Sequence, residues 1–283
     1  MIVTCVFSRK GLKNRFLKNM YKLTLIIPFY NETDRIQVCL NALTTWRVPR
    51  GVVLEQVIFV DDGSKDTSPT VVKRHIPDLK RHLHTQVKLI SYRHNRGKGY
   101  AIARGMRESD SEYSVFLDAD IATPLSELTK MLPAMRQGTD IIVGTRKNGH
   151  STVGVHQPLF RELMGHGFTF LANSLFRTRV TDFTCGFKAF SRRAKDAIFP
   201  YLISHRWGFD VEAIFVGKQR GMSLQEVPVR WDDQRGSKVQ LSKDIVRTGF
   251  ELIQVLFAYT IKPMSLSIKP VAVVLDTIKT YVL

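Results

Sequence analysis

The chain has 283 residues, of which 44% are hydrophobic and 10% aromatic, so it is long enough for one large domain or two small ones with a substantial core. It carries 42 Lys and Arg against 25 Asp and Glu, a formal net charge of +17. This charge favours an anionic partner: nucleic acid, a phosphorylated substrate or an anionic membrane surface. The three cysteines, Cys5, Cys39 and Cys185, have no CxxC spacing, which argues against a disulfide framework or a zinc site and favours a reducing compartment.

Neither end of the chain has the pattern of a targeting signal or a membrane span. Residues 1–22 lack the apolar core and the small-residue cleavage site of a signal peptide. The apolar stretches 245–261 and 264–283 both contain charged residues, and neither reaches the roughly 18 uncharged apolar residues that a span requires. We interpret both as amphipathic segments that lie on a surface.

Short apolar runs alternate with longer amphipathic stretches over the first half of the chain. The runs predict buried strands and the stretches predict helices. The predicted strands are 23–28, 56–61, 87–92, 113–118 and 140–144, and the predicted helices are about 33–47, 67–76, 98–108 and 125–136. This order predicts an α/β fold, a mostly parallel central sheet flanked by helices.

A polar cluster follows each of these five strands: FYNE, DDGS, RHNRGKG, DAD and GTR, in chain order. In parallel sheets, ligands bind beyond the carboxyl ends of the strands. The sequence therefore predicts that these five loops form a site at one edge of the sheet.

The alternation fades after residue 150. Helices are predicted at 160–176 and in the stretch FDVEAIFVGKQRG, which ends at Gly221, with a short strand after TDFTCG and another at 223–233. The loop RGSK follows. The simplest partition is a basic N-terminal segment (1–21), one catalytic domain (22–240) and an amphipathic helical tail (241–283).

The tail has helical periodicity, and two interpretations of it remain open. Its apolar residues form one broad swath, with basic residues nearby. The swath consists of Ile245, Phe250, Ile253, Leu256, Phe257 and Thr260, and the basic residues are Lys243, Arg247 and Lys262. Such a helix either lies on a bilayer surface or packs on the domain or on a dimer partner.

Asp118 and Asp120 end the fourth strand, in the sequence VFLDADIATP. On an extended chain, side chains at i and i+2 point to the same side, and two such carboxylates repel each other unless a cation lies between them. Mg²⁺ and Mn²⁺ take one or two carboxylates together with substrate phosphates. The alternative is a turn whose aspartate caps the next helix.

Other motifs are weaker. Asp61-Asp62-Gly63-Ser64 is either an Asp-Gly turn or a contact to a base or sugar. The stretch NRGKGYAIARG matches neither GxxxxGK[ST] nor GxGxxG, which disfavours a P-loop NTPase and a Rossmann dehydrogenase. Its glycines still allow close backbone approach, and Lys98 offers a cation.

The sequence disfavours two further functions: metal binding by histidines and nucleic-acid binding. His82 and His84 have no acidic or cysteine partner nearby in the sequence, so metal binding by this pair is not expected. The positive residues are spread along the chain and no recognised nucleic-acid motif is present, so nucleic acid is not expected as a partner.

Taken together and in order, the motifs TLIIPFYNE, VIFVDDGSKDTS, HNRGKGYAIARGM, VFLDADIATP and VGTR resemble the GT-A domain of family 2 inverting glycosyltransferases. The later motifs TDFTCGFKAFSR, RWGFDVEAIFV and EVPVRWDDQRGSKV resemble its polyprenyl-phosphate branch. They are most similar to the dolichyl-phosphate β-glucosyltransferases, with the dolichyl-phosphate mannosyltransferases as cousins. The resemblance covers about residues 22–250.

The resemblance implies a set of site residues. Those that line the nucleotide pocket are Pro28, Tyr30, Glu32, Val60, Asp62, Lys98, Asp118 and the backbone at Ala119. Asp118 and Asp120 are implied to meet Mg²⁺ or Mn²⁺ and the diphosphate. Arg146 of the GTR motif and Lys238 of the GSK motif are implied to face phosphate groups, with Arg235 as a further basic candidate for the catalytic site.

One position departs from the family pattern. The mannosyltransferase relatives carry an arginine six residues before the lysine of the GSK motif, where this chain has Asp232. Arg230 or Arg235 is the expected substitute, and the change favours a glucosyl over a mannosyl donor. Eukaryotic glucosyltransferases of this type also have an N-terminal span, which is not expected here.

The resemblance predicts a metal-dependent hexosyltransferase that moves glucose from UDP-glucose onto a polyprenyl phosphate with inversion, giving a β-linked product. A phosphate monoester has a second pKa of about 6, so it needs no strong base. We therefore expect a structural role for Asp210 and Glu212, with Asp210 orienting a basic neighbour.

The alternatives are a GDP-mannose-dependent enzyme, a family 2 transferase acting on a hydroxyl acceptor with Asp210 as its base, and a basic binding protein without turnover. The expected partners are a nucleotide sugar, a polyprenyl phosphate and a membrane surface; a homo-oligomer is compatible with the sequence. The expected location is the cytoplasmic face of a membrane, where the protein is peripheral or anchored by its C-terminal segment.

Overall fold

The computed structural model of the chain describes residues 20–147, 151–155, 159–232 and 241–260. Within these residues the chain forms nine strands and eight α-helices. The strands are β1 Tyr21–Phe29, β2 Val52–Asp61, β3 Gln86–Ser91, β4 Tyr113–Leu117, β5 Ile141–Thr145, β6 Val153–Val155, β7 Phe187–Ser191, β8 Leu224–Pro228 and β9 Trp231–Asp232. The helices are α1 Thr33–Thr45, α2 Ser68–Leu83, α3 Lys98–Arg107, α4 Leu128–Arg136, α5 Leu159–Phe176, α6 Arg192–Ile198, α7 Phe209–Gln219 and α8 Leu241–Thr260. Short 3-10 turns, Leu125–Glu127 and Phe199–Tyr201, precede α4 and follow α6.

Seven of these strands form one sheet in the order β3-β2-β1-β4-β7-β5-β8. All neighbours pair in parallel except β7, which is antiparallel to β4 and β5. Since β7 runs in the opposite direction, the loop before it lies at the carboxyl edge of its neighbours. A two-stranded parallel ribbon of β6 and β9 stands apart from this sheet.

Helices cover both faces of the sheet, which is why β1, β4 and β5 are apolar runs that are buried on both sides. On one face, α1, α2 and α4 bury side chains that include Ile36, Leu40, Leu79 and Met131. On the other face, α3, α6, α7 and α8 bury side chains that include Ile102, Ile198, Ile214, Leu252 and Val255. Helix α8, the last described element, therefore packs on the same core as α7.

The sequence prediction of a mostly parallel sheet flanked by helices is confirmed. Several elements differ in extent: β2, for example, begins at Val52 and not at residue 56. Helix α2 runs through Pro77 to Leu83. An interior proline costs a helix about 3 kcal/mol, and burial of Leu79 and Leu83 beyond it offsets that cost. The strand predicted at 223–233 is two strands. At Arg230 the chain leaves the main sheet, and its amide donates to Glu127 Oε2 at 2.8 Å.

Candidate active site

Asp118 and Asp120 lie directly after β4, at the carboxyl edge of the sheet. The amide of Asp118 donates to the carbonyl of Gly186 at 3.1 Å, and Asp120 Oδ1 accepts a bond from the amide of Ala122 at 3.0 Å. The Asp120 carboxylate therefore closes a turn through its bond to the Ala122 amide. It does not cap a helix, since the residue before the next helical turn is Pro124 and no side chain caps it.

Two cations from the first turns of helices α3 and α1 partly offset the charge of this pair. Lys98 Nζ, at the start of α3, is 2.5 Å from Asp118 Oδ1. Arg35 Nη1, in the first turn of α1, is 3.8 Å from Asp120 Oδ2, while the same guanidinium makes two 2.6 Å bonds to Glu32. The Lys98 contact places a predicted nucleotide-binding residue at the aspartate pair. Arg35 is a residue that the sequence analysis missed, because a lone arginine in a helix carries no signal of its partner.

The electrostatics of the aspartate pair suit a divalent cation. Burial raises the pKa of Asp120, and the negative charge of Asp118 raises it further, so the two carboxylates are crowded even with their cationic neighbours. Among the residues that the structure describes, no group of three or more His, Cys, Asp or Glu side chains is placed to hold a metal ion. Two carboxylates completed by substrate phosphates are, however, a donor set that Mg²⁺ and Mn²⁺ accept, and Asp118 and Asp120 fit it.

The backbone of the loop before β7 lies in close contact with Asp118 at Gly186. A Cβ atom added at Gly186 would lie 1.9 Å from Asp118 Oδ2, a distance that no real side chain can adopt. A larger residue in place of this glycine of the CGFK motif would therefore displace the Asp118 carboxylate. Sequence reasoning tied this motif to the family but did not connect it to the DAD motif.

A buried lysine organises the same loop. Lys188 Nζ donates to the carbonyls of Phe183 at 2.7 Å and Cys185 at 2.6 Å, and to Asp210 Oδ1 at 2.6 Å. Burial raises the pKa of Asp210, against the lowering effect of Lys188 and Lys98. Asp210 therefore orients a basic neighbour, as expected from the sequence, and that neighbour is Lys188, which the sequence analysis did not identify.

Arg146 follows β5 and is held by a buried carboxylate. Its Nε and Nη2 donate to Asp182 at 2.6 and 2.9 Å, and Nη2 also donates to Thr184 Oγ1 at 2.8 Å. Burial alone would raise the pKa of Asp182, but the charge of Arg146 outweighs it and holds that pKa at about 2. The guanidinium also lies over the ring of Trp231, 5.0 Å from its centre. Its Nη1 group takes no part in the bonds to Asp182 and Thr184.

Asp62 uses its carboxylate to shape the loop before α3. It accepts bonds from Tyr92 OH at 2.7 Å, Asn95 Nδ2 at 2.7 Å, and the amides of Arg96 and Gly97 at 2.8 Å. These bonds are internal to the protein. The contact of Asp62 with a base or sugar, expected from the family, stays a prediction.

The other predicted nucleotide-pocket residues lie at, or just beyond, the carboxyl ends of β1, β2 and β4. Pro28 pairs with Val60 in the sheet, and Val60 is fully buried in the core beneath α3, so only its backbone is at the strand end. Tyr30 is half-buried. Glu32 donates its amide to Ser68 Oγ at 2.8 Å while its carboxylate holds Arg35. Ala119 is buried among the apolar residues of the first core face, which leaves its backbone as the group between the two aspartates.

Two predicted catalytic residues, Lys238 and Arg235, lie outside the described residues. Of the two expected substitutes for the missing family arginine, Arg230 is described. Its Nη2 is 3.0 Å from Asp232 Oδ2, and its side chain is 58% exposed. The histidine pair has an ordinary structural explanation, since His82 Nε2 bonds the carbonyl of Trp46 at 3.1 Å.

Helices α5 and α8 both carry apolar side chains that face away from the core. The exposed ones are Leu163, Phe170, Leu171 and Leu175 on α5, and Phe250, Ile253 and Phe257 on α8. Within the described part of the chain, no helix has the length and apolarity needed to cross a bilayer. The apolar swath predicted for α8 is divided in the structure, because Leu256 packs against the core while Phe250, Ile253 and Phe257 are exposed. The side chains of Ile245 and Thr260 lie outside the described set.

The sequence is similar to that of known glycosyltransferases. A model of the family described as "Glycosyl transferase family 2" matches residues 24–199. The dolichyl-phosphate beta-glucosyltransferase of Drosophila melanogaster is 31% identical, over 85% of this chain and 76% of its own length. The enzymes of the same name from Saccharomyces cerevisiae and Homo sapiens are 29% and 30% identical, over 84% and 80% of this chain and 75% and 74% of their own lengths.

Solved structures share the architecture. Glucosyl-3-phosphoglycerate synthase from Mycobacterium tuberculosis, solved with Mn²⁺, UDP and glucosyl-3-phosphoglycerate, has a TM-score of 0.61 at 15% identity, with 94% of this chain and 88% of that chain covered. Mannosyl-3-phosphoglycerate synthase from Rubrobacter xylanophilus has a TM-score of 0.60 at 17% identity, with 88% and 77% covered. Likeness at this identity concerns the fold alone, and it confirms the GT-A architecture expected from the sequence.

Proposed function

This chain belongs to the polyprenyl-phosphate branch of glycosyl transferase family 2, and we propose that it transfers glucose from UDP-glucose to a dolichyl-type polyprenyl phosphate. As a member of this family it is a hexosyltransferase. The observation that carries the proposal is the aspartate pair after β4 with Lys98 ion-paired to it, in a chain whose relatives are named dolichyl-phosphate beta-glucosyltransferases. Mn²⁺ and UDP in a structural neighbour support the same choice of ligands.

In this proposal the diphosphate of the donor lies at the carboxyl edge of the sheet. Asp118 and Asp120 would hold Mg²⁺ or Mn²⁺, which as a Lewis acid stabilises negative charge on a diphosphate. Lys98 lies beside Asp118 and adds a fixed positive charge at the point where the departing UDP gains its charge. The site is thus preorganised for an anionic leaving group.

The acceptor phosphate attacks the anomeric carbon from the face opposite UDP. A new bond forms between the phosphate oxygen and the anomeric carbon, the bond from that carbon to the diphosphate breaks, and the configuration inverts. The attacking oxygen is already ionised at neutral pH, so no proton has to be removed. What this step needs is positive charge to bring two anions together, and we assign that task to Arg146, Lys238 and Arg235.

The geometry around Asp210 favours a phosphate acceptor over a hydroxyl acceptor. A general base has to reach the proton that it removes, either directly or through one water. Asp210 is buried, and its Oδ1 is committed to Lys188 at 2.6 Å. A hydroxyl acceptor would therefore lack its base at this position.

The surroundings of Asp232 bear on the choice of sugar donor. Asp232 is paired with Arg230, so this position adds no net positive charge where the mannosyltransferase cousins have an arginine. We therefore propose UDP-glucose over GDP-mannose as the donor.

The exposed apolar side chains of α5 and α8 support a peripheral position on a membrane, which we place at the cytoplasmic face. Both helices are tied to the loops of the site. Lys147, next to Arg146, donates to the carbonyl of Gly165 in α5 at 3.0 Å, and Glu251 of α8 accepts bonds from the loop before α7. An apolar surface joined to the site is what a lipid-linked acceptor requires.

A donor screen tests the proposed function. The full chain, in detergent with a polyprenyl phosphate and Mn²⁺, is given UDP-glucose, GDP-mannose or UDP-GlcNAc, and the lipid product is quantified. We expect transfer from UDP-glucose at least about tenfold above the other donors, and loss of transfer when a chelator is added. Transfer from GDP-mannose alone, or to a soluble hydroxyl acceptor at the same rate, would overturn the proposal.

A further inference from the structure

Residues 204–208, which precede α7, pack against the start of α3. The carbonyls of Arg206 and His205 accept bonds from the amides of Gly99 at 3.2 Å and Tyr100 at 3.0 Å. These amides belong to the first turn of α3, where backbone N–H groups have no partner within the helix. The segment thus caps the helix that carries the lysine of the site.

The glycines of the RGKG motif make this contact close. A Cβ at Gly97 would lie 2.4 Å from the carbonyl oxygen of His205, and one at Gly99 would lie 2.9 Å from the carbonyl oxygen of Ser204. Gly97 also has a φ of 106°, which other residues rarely adopt. At these two positions, the glycines allow the backbone of residues 204–205 to approach closely.

One carboxylate from α8 holds the capping segment in place. Glu251 accepts bonds from Ser204 Oγ at 2.9 Å, from the amide of Arg206 at 3.1 Å and from the amide of Gly208 at 2.9 Å. Three donors on one carboxylate hold the segment at three points, and hydrogen bonds to a charged acceptor are stronger than those between neutral groups. Because Arg206 gives its amide to Glu251 and its carbonyl to Gly99, a single residue connects α8 to α3.

The same connection reaches the aspartate pair. Lys98 is the first residue of α3, and its Nζ is 2.5 Å from Asp118 Oδ1. It also lies 5.4 Å from the ring centre of Trp207, which belongs to the capping segment. Any displacement of this segment therefore acts on Lys98 from two sides: through the backbone of α3 and through the indole ring.

We propose that Glu251 is a positioning residue for the diphosphate site: from the C-terminal helix it fixes residues 204–208, and through them the start of α3 and Lys98. The expected effect of Glu251 on catalysis rests on the proposed function. Its expected effect on the start of α3 rests on the hydrogen bonds alone. It makes α8 part of the active-site framework in addition to its place on the core.

The test compares Glu251→Gln with Glu55→Gln in the full chain. Glutamine keeps the size but its nitrogen cannot accept from an amide, so part of the triple contact is lost. Glu55 is a carboxylate bonded to Ser111 and Lys22, near the start of β2 and away from the loops of the site. By hydrogen exchange read by mass spectrometry, we expect the amides of Gly99 and Tyr100 to exchange about tenfold faster in Glu251→Gln only.

Kinetics separate positioning from general stability. In Glu251→Gln we expect the KM for UDP-glucose to rise about tenfold, a size typical of losing an outer-shell partner, while the KM for the polyprenyl phosphate stays unchanged. Unchanged exchange at Gly99 and Tyr100 overturns the inference, and so does faster exchange with an unchanged donor KM. If Glu251→Gln does not fold, Ser204→Ala, which removes one of the three bonds, decides by the same readings. A wild-type chain that transfers no glucose contradicts the proposed function instead, and the exchange data still decide on the contact.

Discussion

Asp118 shows how one site residue depends on three distant parts of the chain. Its amide bonds the carbonyl of Gly186, its carboxylate pairs with Lys98, and a cation from α1, Arg35, approaches its neighbour Asp120. The repulsion between two carboxylates is thus partly offset by the protein itself. In the proposed function, a metal–diphosphate at this site would share Asp118 with Lys98.

At this scale the sequence predicted which residue types gather, and it could not predict their pairing. Asp118, Asp120 and Lys98 follow strands, so their meeting at one edge follows from the parallel sheet. Lys188 and Arg35 have no local pattern that marks them. Their partners are far away in sequence, and only the packing of the sheet brings them together.

Replacing Asp120 by asparagine tests the metal role. The change keeps the size and the turn to Ala122 while it removes one of two negative charges offered to the cation. We expect kcat/KM with UDP-glucose and Mn²⁺ to fall by about 100-fold or more, with an unchanged melting temperature. The measurement is steady-state transfer over a range of Mn²⁺ concentrations.

The control for this variant is Asp110→Asn, an exposed aspartate in the loop before β4, at the opposite end of that strand. It should behave as the wild type does. Full activity of Asp120→Asn at every Mn²⁺ concentration would contradict the assignment of the metal to this pair.

At the level of elements, local patterns predicted the existence and kind of most helices and strands. The apolar runs correspond to five parallel strands, of which β1, β4 and β5 are buried on both faces. The direction of β7 and the order of the strands depend on long-range pairing, which no local pattern encodes. The split of the last predicted strand at Arg230 is likewise a long-range feature: where the chain leaves the sheet, the Arg230 amide bonds Glu127, about a hundred residues earlier.

The packing of α8 against α7 encloses a second carboxylate, Glu212. It accepts bonds from the amides of Ile203 and Ser204 and from Tyr259 OH. Burial raises its pKa to about 7 from a reference value of 4.5, in spite of these bonds. The folded state therefore binds more protons than the unfolded state between those two pH values.

This binding makes the free energy of unfolding fall as the pH rises from about 4.5 to about 7. The full difference between the two pKa values corresponds to about 3 kcal/mol. We expect Glu212→Gln to remove this part of the slope, so that urea unfolding at pH 5, 6 and 7 gives a flatter profile than in the wild type.

Glu55→Gln is the matched control for the pH profile. The pKa of Glu55 is lowered: burial would raise it, but its bonds to Lys22 and Ser111 and the charge of Lys22 outweigh that effect. Its stabilising contribution is present above about 4.5, its unfolded value, and is lost as the pH falls below that. A slope between pH 5 and 7 that is the same in Glu212→Gln and in the wild type would contradict the role of Glu212.

On the scale of the whole molecule, the charge of +17 and the exposed apolar side chains of α5 and α8 have one explanation in common. That explanation is the proposed membrane surface, since positive charge attracts an anionic bilayer and exposed apolar side chains can insert at its surface. Arg247 and Phe250 are both exposed on α8, one turn apart. The two interpretations of the C-terminal helix made from the sequence are therefore compatible: Leu252 and Val255 are buried in the core, and another side of the helix stays exposed.

Removing the exposed apolar side chains of α8 should weaken membrane binding without unfolding the protein. Phe250, Ile253 and Phe257 are each about 60% exposed (63%, 62% and 59%), so replacing all three by serine costs little core packing. Burial of even one such side chain is worth about 1.5–3 kcal/mol, and we expect the fraction bound to anionic vesicles in a flotation assay to fall about tenfold or more.

Val38→Ser serves as the control, because Val38 is 49% exposed on α1, which covers the opposite face of the sheet. It should float with the vesicles as the wild type does. A triple α8 variant that keeps its melting temperature and floats unchanged would show that this surface does not meet the bilayer. A variant that no longer floats but still glucosylates a detergent-solubilised acceptor would separate delivery to the lipid from the chemistry at Asp118 and Asp120, since the exposed side of α8 takes no part in the bonds of Glu251.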